Sequence, residues 1–65
     1  MNVKYFPDTD TLLVTFSDRP VTETCDLTEN VLVEMDEQGR LVSMTIEHAR
    51  QQMNVTEFTY QMAAK

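Results

Sequence analysis

The only glycine of the chain, Gly39, lies between two apolar runs and constrains the fold more than any other residue. The runs "VLVEM" (31–35) and "LVSMTIE" (41–47) flank the four residues Asp36-Glu37-Gln38-Gly39. An aspartate favours the start of such a turn, and glycine accepts the positive φ that a bulged turn needs at its end. This spacing predicts a β-hairpin.

A second hairpin is predicted nearer the N-terminus, in "YFPDTDTLLVTF" (5–16). Residues 3–6 and 11–16 have the β-branched and aromatic composition of strands. Between them, Pro7 presets φ, and the side chains of Asp8 and Asp10 can accept hydrogen bonds from nearby backbone N–H groups. The first interpretation of both aspartates is therefore structural, as turn residues.

Strand alternation assigns the apolar residues of both hairpins to one buried face. Ser43 and Thr45 alternate to the other side. Between the hairpins, residues 21–25 are predicted to pair as a short edge strand, with Cys25 as a half-buried apolar residue. The predicted core consists of Leu12, Val14, Phe16, Val33, Val42, Met44 and Ile46.

After Glu47 the pattern changes from strand to helix. "HARQQM" (48–53) favours a helix, and Asn54 with Glu57 three residues later forms a capping-box pattern. The β-branched residues Val55 and Thr56 weaken this second helix, so the tail (51–65) is predicted as helical or extended. The fold class is α+β, a single small domain (1–65) with a mostly antiparallel sheet of four or five strands in hairpins and a short C-terminal helical segment.

A domain of 65 residues is marginally stable and commonly needs a disulfide, a metal or a partner chain. Cys25 is the only cysteine, so no internal disulfide can form. The second face of the sheet is also partly apolar, and the tail adds further apolar surface, so a homodimer with a contribution from the tail is predicted. The apolar residues behind this prediction are Leu13, Leu32 and Leu41 on the sheet and Phe58, Tyr60 and Met62 in the tail.

The net charge of −6, from eleven acidic and five basic residues, limits the kinds of partner. Nucleic-acid binding by this chain on its own is not expected, because the basic residues are scattered singly. A basic protein partner fits the charge better. No apolar run is long enough to cross a bilayer, and a single free thiol favours the cytoplasm.

The turn carboxylates leave a second interpretation open. If the strands followed one another in an up-and-down meander, both predicted turns would meet at one end of the sheet. Their carboxylates would form an acidic rim that could bind a divalent cation, serve a metal-dependent enzyme, contact a basic partner or simply face solvent. The candidate residues are Asp8, Asp10, Asp36 and Glu37.

The segments "KYFPDTDTLLVTFSDRPVTET" and "NVLVEMDEQGRLVSMTIEHA" resemble a small prokaryotic family, domain of unknown function 2283 (DUF2283). The resemblance covers about residues 3–50, and the D-x-x-G-x-L-V segment is its most specific part. It supports a strand-rich fold and implies no activity, although some members look like small partners in toxin–antitoxin pairs. The chain departs from the family pattern at Phe6, Ser43, Thr45 and Arg50, and Thr45 removes an acidic group.

Catalytic groupings are not evident in the sequence. Ser17 and Asp18 have no histidine or lysine near them in sequence, and His48 stands alone. No catalytic residue and no cofactor is predicted. The predicted function is a non-catalytic protein-interaction module, in its narrower form an antitoxin-like partner of a basic protein.

Overall fold

The computed structural model describes residues 1–53, 55–57, 59, 61 and 63. Five strands and one short helix make up the regular structure of these residues, which confirms the α+β class and the higher of the two predicted strand numbers. The elements are β1 (Asn2–Phe6), β2 (Thr11–Thr15), β3 (Glu23–Thr28), β4 (Val31–Met35), β5 (Leu41–Glu47) and α1 (Ala49–Gln52).

The five strands form one antiparallel sheet in the order β1-β2-β5-β4-β3. The last strand, β5, therefore inserts between the two hairpins β1–β2 and β3–β4. A meander in chain order, which the acidic rim required, is wrong. The central position of β5 fits its composition, because three of its seven residues (Val42, Ser43 and Ile46) are buried.

The core lies on one face of the three central strands. Ile46 pairs with Leu12 on one side and Val31 on the other, and Met44 pairs with Val14 and Val33. Five of the seven predicted core residues are buried, and Phe16 and Met44 are half-buried. Ala49 is a further core residue that was not predicted, and it is fully buried beside Leu12, Val14 and Ile46.

A register shift between Glu34 and Met35 changes which residues near the start of β5 lie on each face of the sheet. It pairs Met35 with Leu41, so Leu41 leaves the second face on which simple alternation had placed it. Ser43, predicted to face outward, is only 6% exposed. Its hydroxyl donates a hydrogen bond to the Glu34 side chain on the neighbouring strand, which satisfies the buried polar group.

The helix predicted after Glu47 is confirmed as a single turn. His48 precedes it with φ 54°, in the left-handed region. The predicted cap, Asn54, and the tail residues Phe58, Tyr60 and Met62 lie outside the described residues. Val55 and Thr56 are in a turn, and Val55 packs against the core.

The edge strand between the hairpins is two to three residues further along than predicted. It runs from Glu23 to Thr28, and all six of its residues are exposed. The expectation of a half-buried Cys25 is wrong, because its thiol is free and exposed. An edge strand has a neighbouring strand on one side only, and the side chains of β3 remain exposed to solvent.

Substitutions in the two hairpin turns compare the stability cost of backbone strain with the cost of losing a side-chain charge. Gly39 has φ +79°, and an added Cβ would meet nothing within 4 Å, so the cost of a substitution there comes from the backbone alone. We expect Gly39→Val to lower the free energy of unfolding by about 1–2 kcal/mol, because a β-branched residue resists positive φ. Asp8→Asn should change it by less than about 0.5 kcal/mol, since Asp8 is exposed and asparagine also suits turns. Urea unfolding midpoints of the two variants measure the difference, and a larger loss for Asp8→Asn would contradict the turn interpretation.

Candidate functional site

The four candidate carboxylates do not form one rim. Antiparallel pairing of β1 with β2, β2 with β5 and β5 with β4 fixes the strand directions. The turn after β1, with Asp8 and Asp10, lies at the end of the sheet where β5 finishes. The turn after β4, with Asp36 and Glu37, lies at the opposite end. The proposed shared acidic rim is therefore corrected to two separate turns.

Asp10 links the first turn to the chain that follows β5. It has φ 54°, a left-handed conformation that aspartate tolerates better than most residues. Its carboxylate accepts hydrogen bonds from the Tyr5 hydroxyl, at 2.5 Å, and from the Arg50 backbone N–H, at 3.1 Å. Its carbonyl oxygen accepts a hydrogen bond from the Ala49 N–H at 3.0 Å. Asp10 thus ties α1 to the β1–β2 hairpin.

These contacts shift the pKa values of both Asp10 and Tyr5. The hydrogen bond from Tyr5 lowers the pKa of Asp10 below its ordinary value, and the Arg50 backbone N–H and charge act in the same direction. The same hydrogen bond raises the pKa of the Tyr5 hydroxyl, because it is donated by the protonated form. The Arg50 guanidinium also lies 5.7 Å from the centre of the Tyr5 ring. Asp10 is consequently engaged in holding the chain together.

Asp36 organises the second turn and is the most strongly engaged carboxylate of the described residues. Its side chain is 6% exposed and accepts four hydrogen bonds. One oxygen, Oδ1, accepts from the backbone N–H groups of Gln38 and Arg40, each at 2.9 Å. The other, Oδ2, accepts from Nε of Arg19 at 2.7 Å and from Nε of Arg40 at 2.9 Å.

The donors around Asp36 stabilise its ionised form. They lower its pKa from 3.8 to about 2, with the Arg40 backbone hydrogen bond as the largest cause. Arg19 also donates from its terminal nitrogen to the Leu41 carbonyl at 3.1 Å, which joins the β2–β3 connection to the start of β5. The Asp36 carboxylate therefore works as a structural anchor with its oxygens already occupied by protein donors.

The remaining candidate residues are exposed. Asp8 and Glu37 lie on the outer surfaces of their turns. Among the residues that the structure describes, no three His, Cys, Asp or Glu side chains are grouped so that they could hold a metal ion. His48 is exposed and its Nδ1 lies 2.9 Å from the Asn30 side-chain oxygen, where it joins the β3–β4 turn to the end of β5.

One distant partner of each engaged aspartate was not predicted. Arg19 is 17 residues from Asp36, and Arg50 is 40 residues from Asp10. No local spacing indicates such pairs.

The outer edge of β3 is exposed along the whole strand. We use the name acidic edge for β3 with the turn residue that follows it, and its carboxylates are Glu23, Asp26 and Glu29. Both ion pairs found in the described part of the chain involve Asp36, so none of these three carboxylates has a cationic partner there. An edge strand also presents N–H and C=O groups that its own sheet does not use. The acidic edge thus combines free backbone hydrogen-bonding groups with negative charge.

Comparisons with known proteins identify the family. A family model described as "Protein of unknown function (DUF2283)" matches residues 2–50. Neither the curated proteins nor the solved structures give a match. No helix in the described part of the chain is long and apolar enough to span a membrane. The family description carries no catalytic activity, and the matched segment contains all five strands and the start of α1. With three quarters of its length matched by that model, the chain belongs to the DUF2283 family.

Proposed function

We propose that this protein is a non-catalytic interaction module whose acidic edge binds an extended, basic segment of another protein. The observation that supports the proposal is the exposure of β3 and its negative charge, which is unpaired in the part of the chain that the structure describes. All six of its residues are exposed, and the acidic side chains of the edge have no cationic partner among the described residues. Such an edge offers both a backbone template and a charge for recognition.

Strand addition explains how this edge would bind. An incoming extended peptide makes main-chain hydrogen bonds to the free side of an edge strand, and its alternating side chains contact both sheet faces. Lysine or arginine on the peptide would approach Glu23, Asp26 and Glu29 of this chain. Opposite charge also raises the association rate and selects against acidic partners.

The narrower form of the proposal is an antitoxin-like role, in which the bound segment belongs to a small basic protein that the module neutralises. The net charge of −6 supports a basic partner. The exposed free thiol of Cys25 fits a reducing compartment, and we place the interaction in the cytoplasm. A small basic reading frame beside the gene would supply the candidate partner.

A model peptide tests the binding mode without knowledge of the partner. We expect a short capped peptide of alternating lysine and valine to bind the wild-type protein in isothermal titration calorimetry. A peptide of the same sequence with N-methyl groups on every residue should bind about tenfold more weakly or not at all, because neither edge of that peptide can donate backbone hydrogen bonds. Equal affinity of the two peptides would contradict strand addition.

Matched variants test the location of the site. The double variant Glu23→Lys with Glu29→Lys should lose about tenfold in affinity for the unmethylated peptide. The double variant Asp8→Lys with Asp18→Lys changes the net charge equally but lies near β1 and β2, on the other side of the sheet from β3, so its affinity should stay close to that of the wild type. Equal losses in both double variants would show that only net charge attracts the peptide and would overturn the proposed site.

A further inference from the structure

The second face of the sheet, opposite the core, carries one row of side chains that crosses all five strands. The residues of this row pair directly from strand to strand, in the order Lys4 (β1), Leu13 (β2), Thr45 (β5), Leu32 (β4) and Asp26 (β3). Directly paired residues of antiparallel strands project to the same face. The row therefore has a cation at one end, a carboxylate at the other and two leucines placed symmetrically about a central threonine.

Part of the chain that follows β5 packs on the core face. Ala49 and Val55 both pack with the core cluster of Leu12, Val14 and Ile46. On the second face, Leu13 and Leu32 are half-buried and Phe6 is 39% exposed. The second face is therefore mixed, with three apolar side chains among polar and charged ones, and its charge pattern can select a partner.

We propose that a second copy of this chain covers the second face, with the two-fold axis parallel to β5. Rotation about such an axis reverses the row from end to end and turns the two faces toward each other. Lys4 of each copy then meets Asp26 of the other, Leu13 meets Leu32, and Thr45 meets its own copy at the axis. An axis perpendicular to the strands would instead place Lys4 against Lys4 and Asp26 against Asp26, so the charges select the parallel axis.

The same rotation brings a protruding side chain over a hollow. Phe6 lies on this face at the outer end of β1, with the Lys4 ammonium 5.5 Å from its ring centre. At the corresponding end of β3 and β4, a hollow of about 200 Å³ opens between Asp26, Leu32 and Glu47. In the proposed dimer, Phe6 of each copy lies over the hollow of the other, and aromatic residues are frequent anchors of such contacts.

The dimensions of the molecule suit a face-to-face contact. Its extents are 34 × 32 × 19 Å, so it is thin in one direction and broad in the other two. A standard interface takes about 800 Å² from each partner, which fits within the broad face. The contact would turn a single-layered sheet into two packed layers, the usual arrangement of a stable domain.

Two further carboxylates lie on this face. Glu34 accepts a hydrogen bond from the Ser43 hydroxyl, and in the dimer it faces Thr15 of the other copy. Glu47 is exposed at the end of β5, close to the axis, and it approaches Glu47 of the other copy. This like-charge contact opposes association, so Glu47→Gln should tighten the dimer.

Sedimentation equilibrium of the full chain at micromolar concentrations tests the proposal through a charge exchange. We expect a dimer for the wild type. Lys4→Asp and Asp26→Lys should each raise the dimer dissociation constant about tenfold, because each places two pairs of like charges in the interface. The double variant, with both changes, should return to within about threefold of the wild type, since the pairs are restored with exchanged partners.

A second pair of variants compares an exposed apolar residue inside the proposed interface with one outside it. Phe6→Ala should weaken the dimer, whereas Val21→Ala removes a side chain of similar exposure from the β2–β3 connection and should leave it unchanged. Thermal unfolding by circular dichroism confirms that each variant is folded. Equal effects of these two substitutions would overturn the assignment of the interface.

Chemical cross-linking determines the direction of the axis. In a Cys25→Ser background, Thr45→Cys should give cross-linked dimers with a short bismaleimide, because residue 45 lies at the axis. Lys4→Cys should not, because its copies lie at opposite edges of the dimer. A monomeric wild type, additive losses in the charge-exchanged double variant, or efficient cross-linking through position 4 would each contradict the proposal. In this dimer Asp26 pairs with Lys4 of the other copy, while the outer backbone edge of β3 and the Glu23 side chain stay open, so failure of the dimer and failure of peptide binding are separate results.

Discussion

Replacing Val14 with aspartate is expected to unfold the protein. Val14 is 7% exposed at the centre of the core, where it pairs with Val3 on β1 and Met44 on β5. A carboxylate at this position would be buried without a cation or hydrogen-bond donors, which costs about 4 kcal/mol or more. A domain of this size has a stability of only about 3–5 kcal/mol, so little native protein should remain.

The neighbouring residue Thr15 provides the control for this experiment. It projects to the second face and is half-buried, so Thr15→Asp changes the same strand by the same charge. We expect Thr15→Asp to keep a cooperative thermal transition in circular dichroism, whereas Val14→Asp loses it. Similar unfolding curves for both variants would contradict the alternation assigned to β2.

The second large effect is expected from Asp36→Ala. This change removes all four hydrogen bonds of a nearly fully buried carboxylate and leaves the guanidinium groups of Arg19 and Arg40 beside each other without an anion. The β4–β5 turn and the link to Leu41 should both weaken. We expect the largest decrease in urea midpoint among substitutions of exposed or turn carboxylates, with Asp8→Ala as the matched change in the other turn.

The pH dependence of the unfolding free energy gives a second test of the role of Asp36. The pKa of Asp36 falls from 3.8 to about 2 in the folded protein, so the unfolded chain binds the proton more readily. The stability from ionised Asp36 is therefore complete above about pH 4 and is lost as the pH falls towards 2. Between these values, the unfolding free energy of Asp36→Ala should change less steeply with pH than that of the wild type or of Asp8→Ala. Parallel pH profiles for all three proteins would contradict the role given to Asp36.

The local elements of this fold could be predicted from sequence, but their arrangement could not. Strand alternation and the single glycine identify the hairpins, because both depend on neighbouring residues. The pairing of β2 with β5 joins residues such as Leu12 and Ile46, which are far apart in the chain, and no local pattern specifies it. The inserted position of β5 then decides which turns share an end of the sheet.

The same limit applies to the candidate site residues. Turn propensity placed Asp10 and Asp36 correctly in turns. The local donors of Asp36, Gln38 and Arg40, belong to the turn itself. The distant partners Arg19 and Arg50 become neighbours of Asp36 and Asp10 only when the sheet forms, so the sequence could not show these two contacts. The edge position of β3 was predicted, because Pro20 before it suits an edge strand, but the exposure of Cys25 was not.

The most direct test of the proposed function is an amide map of peptide binding. Heteronuclear NMR spectra of the ¹⁵N-labelled protein, titrated with the lysine–valine peptide, report each backbone N–H separately. We predict that amides of Glu23–Thr28 shift and become protected from hydrogen exchange on binding, while those of the other edge strand, Asn2–Phe6, do not. Shifts confined to side-chain or turn amides, with β3 unchanged, would contradict recognition by the acidic edge.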